Sequence, residues 1–594
     1  MKPIYNKLTK SFGILAVALT GLGAVSCGDM LDLKPQGVLS SEQMDEEKAV
    51  DLMTAAYATL MNHYFGNNES FAGPINNWVI DLRSDDALKG GGALTHEEYM
   101  HQLEIGNVLS NNAVINDKWL NNYFSISRCN TAIQTLAASG ALDDDVKESY
   151  IAEMKTLRAY YYFDMLRLFK KFPYIDETMN ASEVPAGNKT RREVAELIKQ
   201  DLRDAYQVLP ETQSMPGRFN KFVAAGILAR VDLFTATSEF TDNTAAVWAE
   251  VEQYCNYVIG SGHYNLFDHF QDISKPEMNN GVESVMAVQF SSDNSPSMYN
   301  FNNCLNCTVS EGNLYGNGDD FYLGSQDLVN AFMTDGSGLP YFNGYDGTEV
   351  IGRAAYVKAN PDDPDTEDPE EAKLYYSGNV DPRLDLTFGR IGMYWRADAS
   401  HQYIYNKNWC RALGIYSQFS GKKPYPAPYD PHVQVGVVPW GASTLNYMII
   451  RYSDILLMKA EALIEQNKDI QDAIVLINQV RKRAADSVDP NYTPMDLNPT
   501  IVNYNVGQYP LTGWNQASAR QALRYERRLE FALEGLRWFD LLRWGIAAET
   551  VNKYYKYEVQ FQEYYNGASL SETNYYFPIP IDQVDTSNGL YSND

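Results

Sequence analysis

Apolar residues recur at intervals of three and four over most of the chain, the signature of amphipathic helices. Over residues 47–64, Val50, Met53, Ala56, Tyr57 and Leu60 fall on one face. Over 117–138 the stripe is Trp119, Tyr123, Ile126, Cys129, Ile133 and Leu136. A longer run, 144–172, carries Ile151, Met154, Leu157, Tyr161, Phe163, Leu166 and Phe169 and stops at Pro173, while 191–209 stops at Pro210. Proline ends a helix because it has no N–H to donate. Residues 219–237 and 245–259 make a close pair closed by Gly260, Ser261 and Gly262. Residues 452–466 and 470–485 make another, and 518–544 read as one last long helix. Between 271 and 441 the helical period fails. Gly, Asn, Asp, Pro and Tyr dominate there, with short alternating pieces such as 285–290, so loops and short strands are expected. A stretch this long with so little regular structure is where binding residues concentrate.

Successive helices joined by short turns imply stacked antiparallel hairpins. Ala460 and Ala462 facing Ala473 would let two helices approach closely, as in a tetratricopeptide hairpin, although no fixed 34-residue period is present. Hairpins of this kind need neighbours to bury their faces, so a solenoid-like stack is expected. The N-terminus reads differently. Lys2, Lys7 and Lys10 precede an apolar run over 12–25 that ends in small residues before Cys27. That is the layout of a secretory signal, and the run is too short for the ~20 residues of a membrane span. The cysteine after the small residues resembles a bacterial lipobox, with Ala24 in place of the usual leucine. Cleavage before Cys27 would leave 568 residues carrying a net charge of −31, against −28 for the whole chain. Several acyl chains on Cys27 would anchor the protein durably, since one chain alone binds marginally.

The charge balance, 48 Lys plus Arg against 76 Asp plus Glu, excludes nucleic acid as a partner, because a phosphate-gripping protein needs a basic stripe. Five cysteines besides Cys27 are too few for a disulfide framework in a chain of this size. Cys304 and Cys307 have a CxxC spacing but no second ligand pair, so a short disulfide or two loop thiols is expected, not a metal or redox site. The acidic run 362–371 lacks the spacing of a calcium loop. No metal site and no cofactor are expected. The hydrolase elbow, zinc-protease helix and phosphate loop are all missing from the sequence, and abundant carboxylates alone do not make a glycosidase. No enzyme is expected.

Several segments in order resemble the SusD/RagB family of outer-membrane lipoproteins. They are Cys27 to Gln36, the tyrosine-rich Leu157 to Phe163 with Arg167 to Phe169, Arg451 to Met458 with Ala460 to Ala462, and Ile477 to Arg481. The most specific is Glu526 to Phe531 through Gly535 and Arg537 to Gly545; Phe577 to Pro580 follows, with Asn588 to Leu590. The resemblance implies a mainly α fold, a right-handed superhelix of tetratricopeptide-like helix pairs with an irregular, loop-rich and short-strand ligand face. It divides the chain into a signal (1–26), an N-terminal helical part (27–270), the irregular region (271–441) and a C-terminal part (442–594). It also implies a non-catalytic glycan-binding lid on a SusC-like TonB-dependent transporter, lipid-anchored in the outer membrane. A RagB-like peptide-binding lid is the alternative.

Sugars present hydroxyl rims and apolar C–H faces, so a binder needs flat rings and fork-like polar groups. Candidates are Trp78, Asp81, Arg83 and Asp85 in one loop, Tyr299, Tyr315 and Tyr322 in a second, and Trp395 beside Tyr394 and Arg396. The charges of the 526–543 segment are expected to be helix-packing ion pairs at i, i+3 or i+4. The anchor reading makes one prediction: Cys27→Ala should shift the protein from the membrane to the soluble fraction on cell fractionation. A variant that still sediments with membranes would overturn it.

Overall fold

The computed structural model describes residues 45–61, 73, 77–291, 306–309, 314–316, 318–342, 377–434 and 442–593. Cys27, Tyr299, Cys304 and the 362–371 run lie outside them. Eight helices come first: α1 (Glu46–Tyr57), α2 (Trp78–Asp81), α3 (Glu98–Glu104), α4 (Ala113–Ala137), α5 (Asp144–Leu168), α6 (Arg191–Val208), α7 (Lys221–Thr235) and α8 (Thr244–Gly260). Among its described residues the irregular region holds only the short α-helices α9 (Gln326–Ala331) and α10 (Arg383–Thr387). The C-terminal part supplies α11 (Tyr452–Glu465), α12 (Ile470–Asp486), α13 (Gln516–Glu530), α14 (Arg537–Arg543), α15 (Ala547–Glu558) and α16 (Ile581–Thr586).

Local chemistry explains several boundaries. Thr190 and Glu193 form a reciprocal capping box at the start of α6, each side chain bonding the other's backbone N–H, which satisfies two otherwise unpaired donors. Asn220 caps α7 through Val223 N–H at 3.0 Å. The helix α5 is buried on nearly all sides between Tyr150 and Leu168. Tyr161 and Tyr162 can bury their rings there because their hydroxyls find partners: Tyr162 donates to Ile175 O at 2.7 Å, and Tyr161 shares a hydrogen bond with Thr59 at 2.7 Å.

The long helices pack in sequence order, α4 on α5, α5 on α6, α6 on α7 and α7 on α8. The stack then continues from α8 to α11, α12 and α13, across the excursion of the irregular region. Ala460, Ala462 and Ala473 are fully buried in it. Strands stitch the excursion back. β1 (Ala87–Gly90) pairs antiparallel with β3 (Phe321–Gly324), with Leu88 opposite Leu323. β2 (Ser284–Val288) pairs antiparallel with Tyr447–Arg451, interrupted by a bulge near Val285.

The expected single helix over 518–544 is two. The chain leaves α13 after Glu530 and turns through 531–536 before α14, with Leu533 and Gly535 both left-handed at φ +56° and +72°. A side chain at 535 would meet the Asn77 backbone at 2.8 Å, so the close approach of the N-terminal part requires glycine. The break also separates the charges differently from expectation. In α14 Arg543 pairs with Asp540 at i, i+3, but most partners come from other elements. Arg527 reaches Asp454 and Asp540, Arg543 reaches Glu461, and Arg528 reaches Asp86 and Asp327.

Glu530 is the centre of the largest such cluster. Its carboxylate accepts from Arg451 at 2.8 Å, from Arg383 at 3.0 Å and from Arg483. Arg383 also bonds Glu526 and Asp381, each at 2.7 Å, and Arg481 bonds Glu526 at 3.0 Å. Arg451 and Arg483 converge on Glu283 at 2.6 and 2.9 Å, and Glu534 accepts from Arg451 and Lys423, each at 2.8 Å. Burial alone would push the Glu530 carboxyl up, yet Arg483, Arg451 and Arg383 outweigh it and hold it well below the usual carboxylate range.

A carboxyl depressed in this way stabilises the fold fully above its unfolded pKa of ~4.3, and that stability is lost as pH falls toward the lower folded value. Thermal unfolding should therefore show a steep loss of stability below about pH 4. Glu530→Gln should lower stability at pH 7 by about 3–5 kcal/mol, the cost of removing one member of a buried ion pair. It should also flatten that acid limb in calorimetry. A variant within error of wild type, as expected for the exposed pair Lys482 and Asp486, would contradict the central role of Glu530.

Candidate functional site

The segment from Asn77 to Gly90 was expected as an open loop. It is instead a one-turn helix, a turn and β1, buried throughout. Its charges face the C-terminal helices. Asp85 accepts two hydrogen bonds from Arg537, at 2.8 and 2.9 Å, and lies 3.0 Å from Arg528, while Asp86 accepts from Arg528 at 2.7 Å. Arg83 donates to the carbonyls of Tyr575 and Asn574, with its guanidinium 4.0 Å above the Trp538 ring and 4.7 Å from Phe577. Burial lowers its pKa to about 9. Arg83 and Asp85 are thus clamps between the two ends of the chain.

Trp78 and Tyr322 are brought together, with ring centroids 5.5 Å apart and planes tilted by 40°. The Tyr322 hydroxyl donates to Asp81 at 2.8 Å and accepts from Gly535 N–H at 3.1 Å; Asp81 also accepts from Trp538 N–H at 3.2 Å. Burial, then the neighbouring Asp86 charge, pushes the Asp81 carboxyl up to about 7. Tyr322 has φ +55°, a costly conformation for a bulky residue, and these two hydrogen bonds hold the ring there.

The two rings line a cleft of about 70 Å³ with Tyr447, Met448, Leu445 and Leu533. Its polar end is Lys423, Arg451, Glu534 and Asn446, where the Lys423 ammonium donates to the carbonyls of Glu530 and Ala532 as well as to Glu534. Burial lowers the Lys423 pKa to about 8, against the pull of Glu534. The cleft holds about two waters at ~30 Å³ each. It can therefore take the hydroxyl edge of a sugar or a short polar side chain, not a whole ring. Lys423, Tyr447 and Glu534 were not singled out from the sequence. Lys423 has no periodicity to mark it, and Glu534 faces the cleft only because the expected long helix breaks.

Tyr315 and Trp395 meet elsewhere. Trp395 Nε1 donates to the Tyr315 hydroxyl at 3.0 Å, which donates to Pro426 O at 2.6 Å, and Trp395 stacks on Tyr405 at 5.6 Å and 17°. With Ile391, Trp409 and Tyr425 they form a second, smaller core. Both were expected as ligand rings; both are buried, because this region packs its own interior. Cys307 is buried in the same cluster. A groove of about 410 Å³ opens between the α6–α7 connection and β2, lined by Gln213, Phe219, Asn220, Tyr264, Asn280 and residues 284–287 among others.

Known proteins share this architecture. A SusD-like protein from Bacteroides fragilis superposes with a TM-score of 0.66 at 20% identity, covering 93% of this chain and 98% of its own. Surface glycan-binding protein A from Bacteroides thetaiotaomicron, solved in complex with laminarihexaose, gives 0.62 at 20% identity, covering 92% and 100%. In sequence, SusD-like protein P2 of Formosa agariphila is 25% identical over 548 residues, 91% of this chain and 92% of the relative. A family model described as "Starch-binding associating with outer membrane" matches residues 29–233, and the model of the SusD family matches residues 282–594. With that match extending over more than half of its length and the mainly helical fold shared, the chain belongs to the SusD family.

Proposed function

We propose that this protein is a non-catalytic glycan-binding lipoprotein of the outer membrane, anchored through Cys27 and facing the cell exterior. In this reading it closes as a lid over a SusC-like TonB-dependent transporter. The observation that carries the ligand reading is the cleft where Trp78 and Tyr322 meet a buried Lys423–Glu534–Arg451 end. Fixed donors and an acceptor walled by aromatic side chains match the hydroxyl rim of a neutral sugar, and the groups are held in place before any ligand arrives. The surface glycan-binding protein of the same fold solved with laminarihexaose supports the same class of ligand. The carboxylate at the cleft serves as an acceptor: Glu534 is tied to two cations, and Asp81, bonded to the Tyr322 hydroxyl and a backbone N–H, is not among the lining residues.

One observation favours a peptide ligand instead. Residues 284–287 line the 410 Å³ groove consecutively, and side chains of a strand alternate between faces, so the groove is bordered by an edge of β2. A strand edge offers the backbone groups that an extended peptide pairs with.

Titration calorimetry against panels of oligosaccharides and of peptides separates the two. Binding of at least one oligosaccharide and of no peptide is expected; peptide-only binding would sink the glycan reading, and turnover of a glycan would sink the non-catalytic one. Trp78→Ala should weaken oligosaccharide binding by about tenfold or more, the loss typical of a central aromatic contact. For the partner, affinity purification after detergent extraction should recover a TonB-dependent β-barrel in stoichiometric amount. Recovery of the protein alone under those conditions would count against the lid.

A further inference from the structure

Beside the cleft lining, a lysine, an asparagine and a carboxylate meet in the interior. The Lys118 ammonium on α4 donates to Asn77 Oδ1 at 3.1 Å and to Asp164 Oδ2 on α5 at 3.4 Å, with Gly73 O a further acceptor at 2.9 Å. Lys118 and Asp164 are fully buried and Asn77 is 7% exposed. A carbonyl bond is ~1.2 Å long, so Nζ lies within about 4.3 Å of the Asn77 amide carbon.

Two features set this cluster apart from ordinary capping and ion pairing. Asn77 stands at the N-cap of α2, where an asparagine side chain normally accepts from the first helical N–H groups. It makes no such bond here and turns to Lys118 instead. The charges are also unequal, because Lys118 and Arg167 share the Asp164 carboxylate, Arg167 reaching its other oxygen at 3.1 Å. None of the three side chains is more than 4% exposed, and a buried charge shared in this way costs several kcal/mol. Arginine cannot shed its proton, but lysine can. Burial lowers the Lys118 pKa against the pull of Asp164, with Arg167 adding to the drop, and a neutral amine is a nucleophile. The reacting groups are held still. Asn77 O accepts from Ile80 and Asp81 N–H at 3.1 and 3.0 Å, and the Asn122 amide bridges Lys118 O and Asp164 Oδ2 at 2.9 and 3.0 Å.

We propose that Lys118 and Asn77 join in an intramolecular isopeptide bond, with Asp164 as the proton carrier. Asp164 Oδ2 takes a proton from the Lys118 ammonium, and the amine attacks Asn77 Cγ. The Nζ–Cγ bond forms and the Cγ–Nδ2 bond breaks. Nζ gives up two protons through Asp164, both depart on the leaving nitrogen as ammonium, and no oxidant, reductant or cofactor is consumed. Holding amine and amide in contact replaces a bimolecular encounter, which brings so slow a reaction within reach. The product leaves Arg167 and Asp164 paired one to one. It also ties the residue before Trp78 covalently to α4, so one wall of the cleft is fixed to the helical stack.

The test is a tryptic peptide map of the full-length protein, purified in detergent and then denatured. The wild type should yield a branched peptide joining Asn77 to Lys118, lighter by one ammonia than its two arms together and uncleaved after Lys118. Lys118→Arg keeps the charge without a nucleophilic amine, and Asp164→Asn keeps the shape without the proton carrier; both should yield the arms separately. Circular dichroism shows whether each variant is folded, and the wild-type map decides the question even where one is not. Separate arms in the wild type would overturn the proposal. So would a branched peptide in folded Asp164→Asn, which would remove Asp164 from the reaction.

Discussion

The structure depends on a buried, charge-balanced cluster around Glu530. Five cations (Arg383, Arg451, Arg481, Arg483, Lys423) meet five carboxylates (Glu283, Asp381, Glu526, Glu530, Glu534). Removing one such charge from water costs several kcal/mol, so no member is tolerable alone. The constraint is positional: every element that carries a member must arrive before the others can be satisfied. Those elements are the turn before β2, α10 with the residues just before it, the loop that carries Lys423, the strand leading into α11, then α12, α13 and the turn after it. The network therefore specifies how the irregular region docks on the helical stack, a task that non-directional apolar burial performs poorly.

The cleft inherits its shape from that cluster. Lys423, Arg451 and Glu534 belong to both, forming the polar end of the cleft and the outer end of the network. A second set of buried pairs, Arg528 and Arg537 with Asp85 and Asp86, pulls the Trp78 segment onto α14 and so sets the opposite wall. The ring pair and the donors come from parts of the chain hundreds of residues apart. Their relative position is held by charge pairing on both sides, so little ordering cost is left for a ligand.

Local sequence made the helices legible. The stripes over 144–172, 191–209 and 470–485 end within a few residues of α5, α6 and α12, because period and proline are local signals. The break after Glu530 was hidden: Gly535 is one glycine among many, and only the approach of Asn77 makes it obligatory. The same non-locality misdirected the site reading. Trp78, Asp81, Arg83 and Asp85 look like a polar loop when their partners Tyr322, Trp538, Arg528 and Arg537 are not in view. Trp78 and Tyr322 could be named as candidate rings, but nothing in the sequence paired them.

The aromatic residues show what decides between packing and recognition. Tyr160, Tyr161 and Tyr162 are buried in α5. Tyr315 and Trp395 sit in a stretch with the composition of a binding loop, yet they are interior, because a long irregular region must build a small core of its own to hold a shape. Once that core exists, it can carry other rings at its surface. Tyr403 packs against it, and His401 and Tyr429 lie nearly parallel to Tyr403. Composition cannot separate the two layers, since both are Tyr- and Trp-rich loop sequence. Burial can: the Trp395, Tyr405 and Trp409 rings close the interior, while the His401 side chain stays 38% exposed.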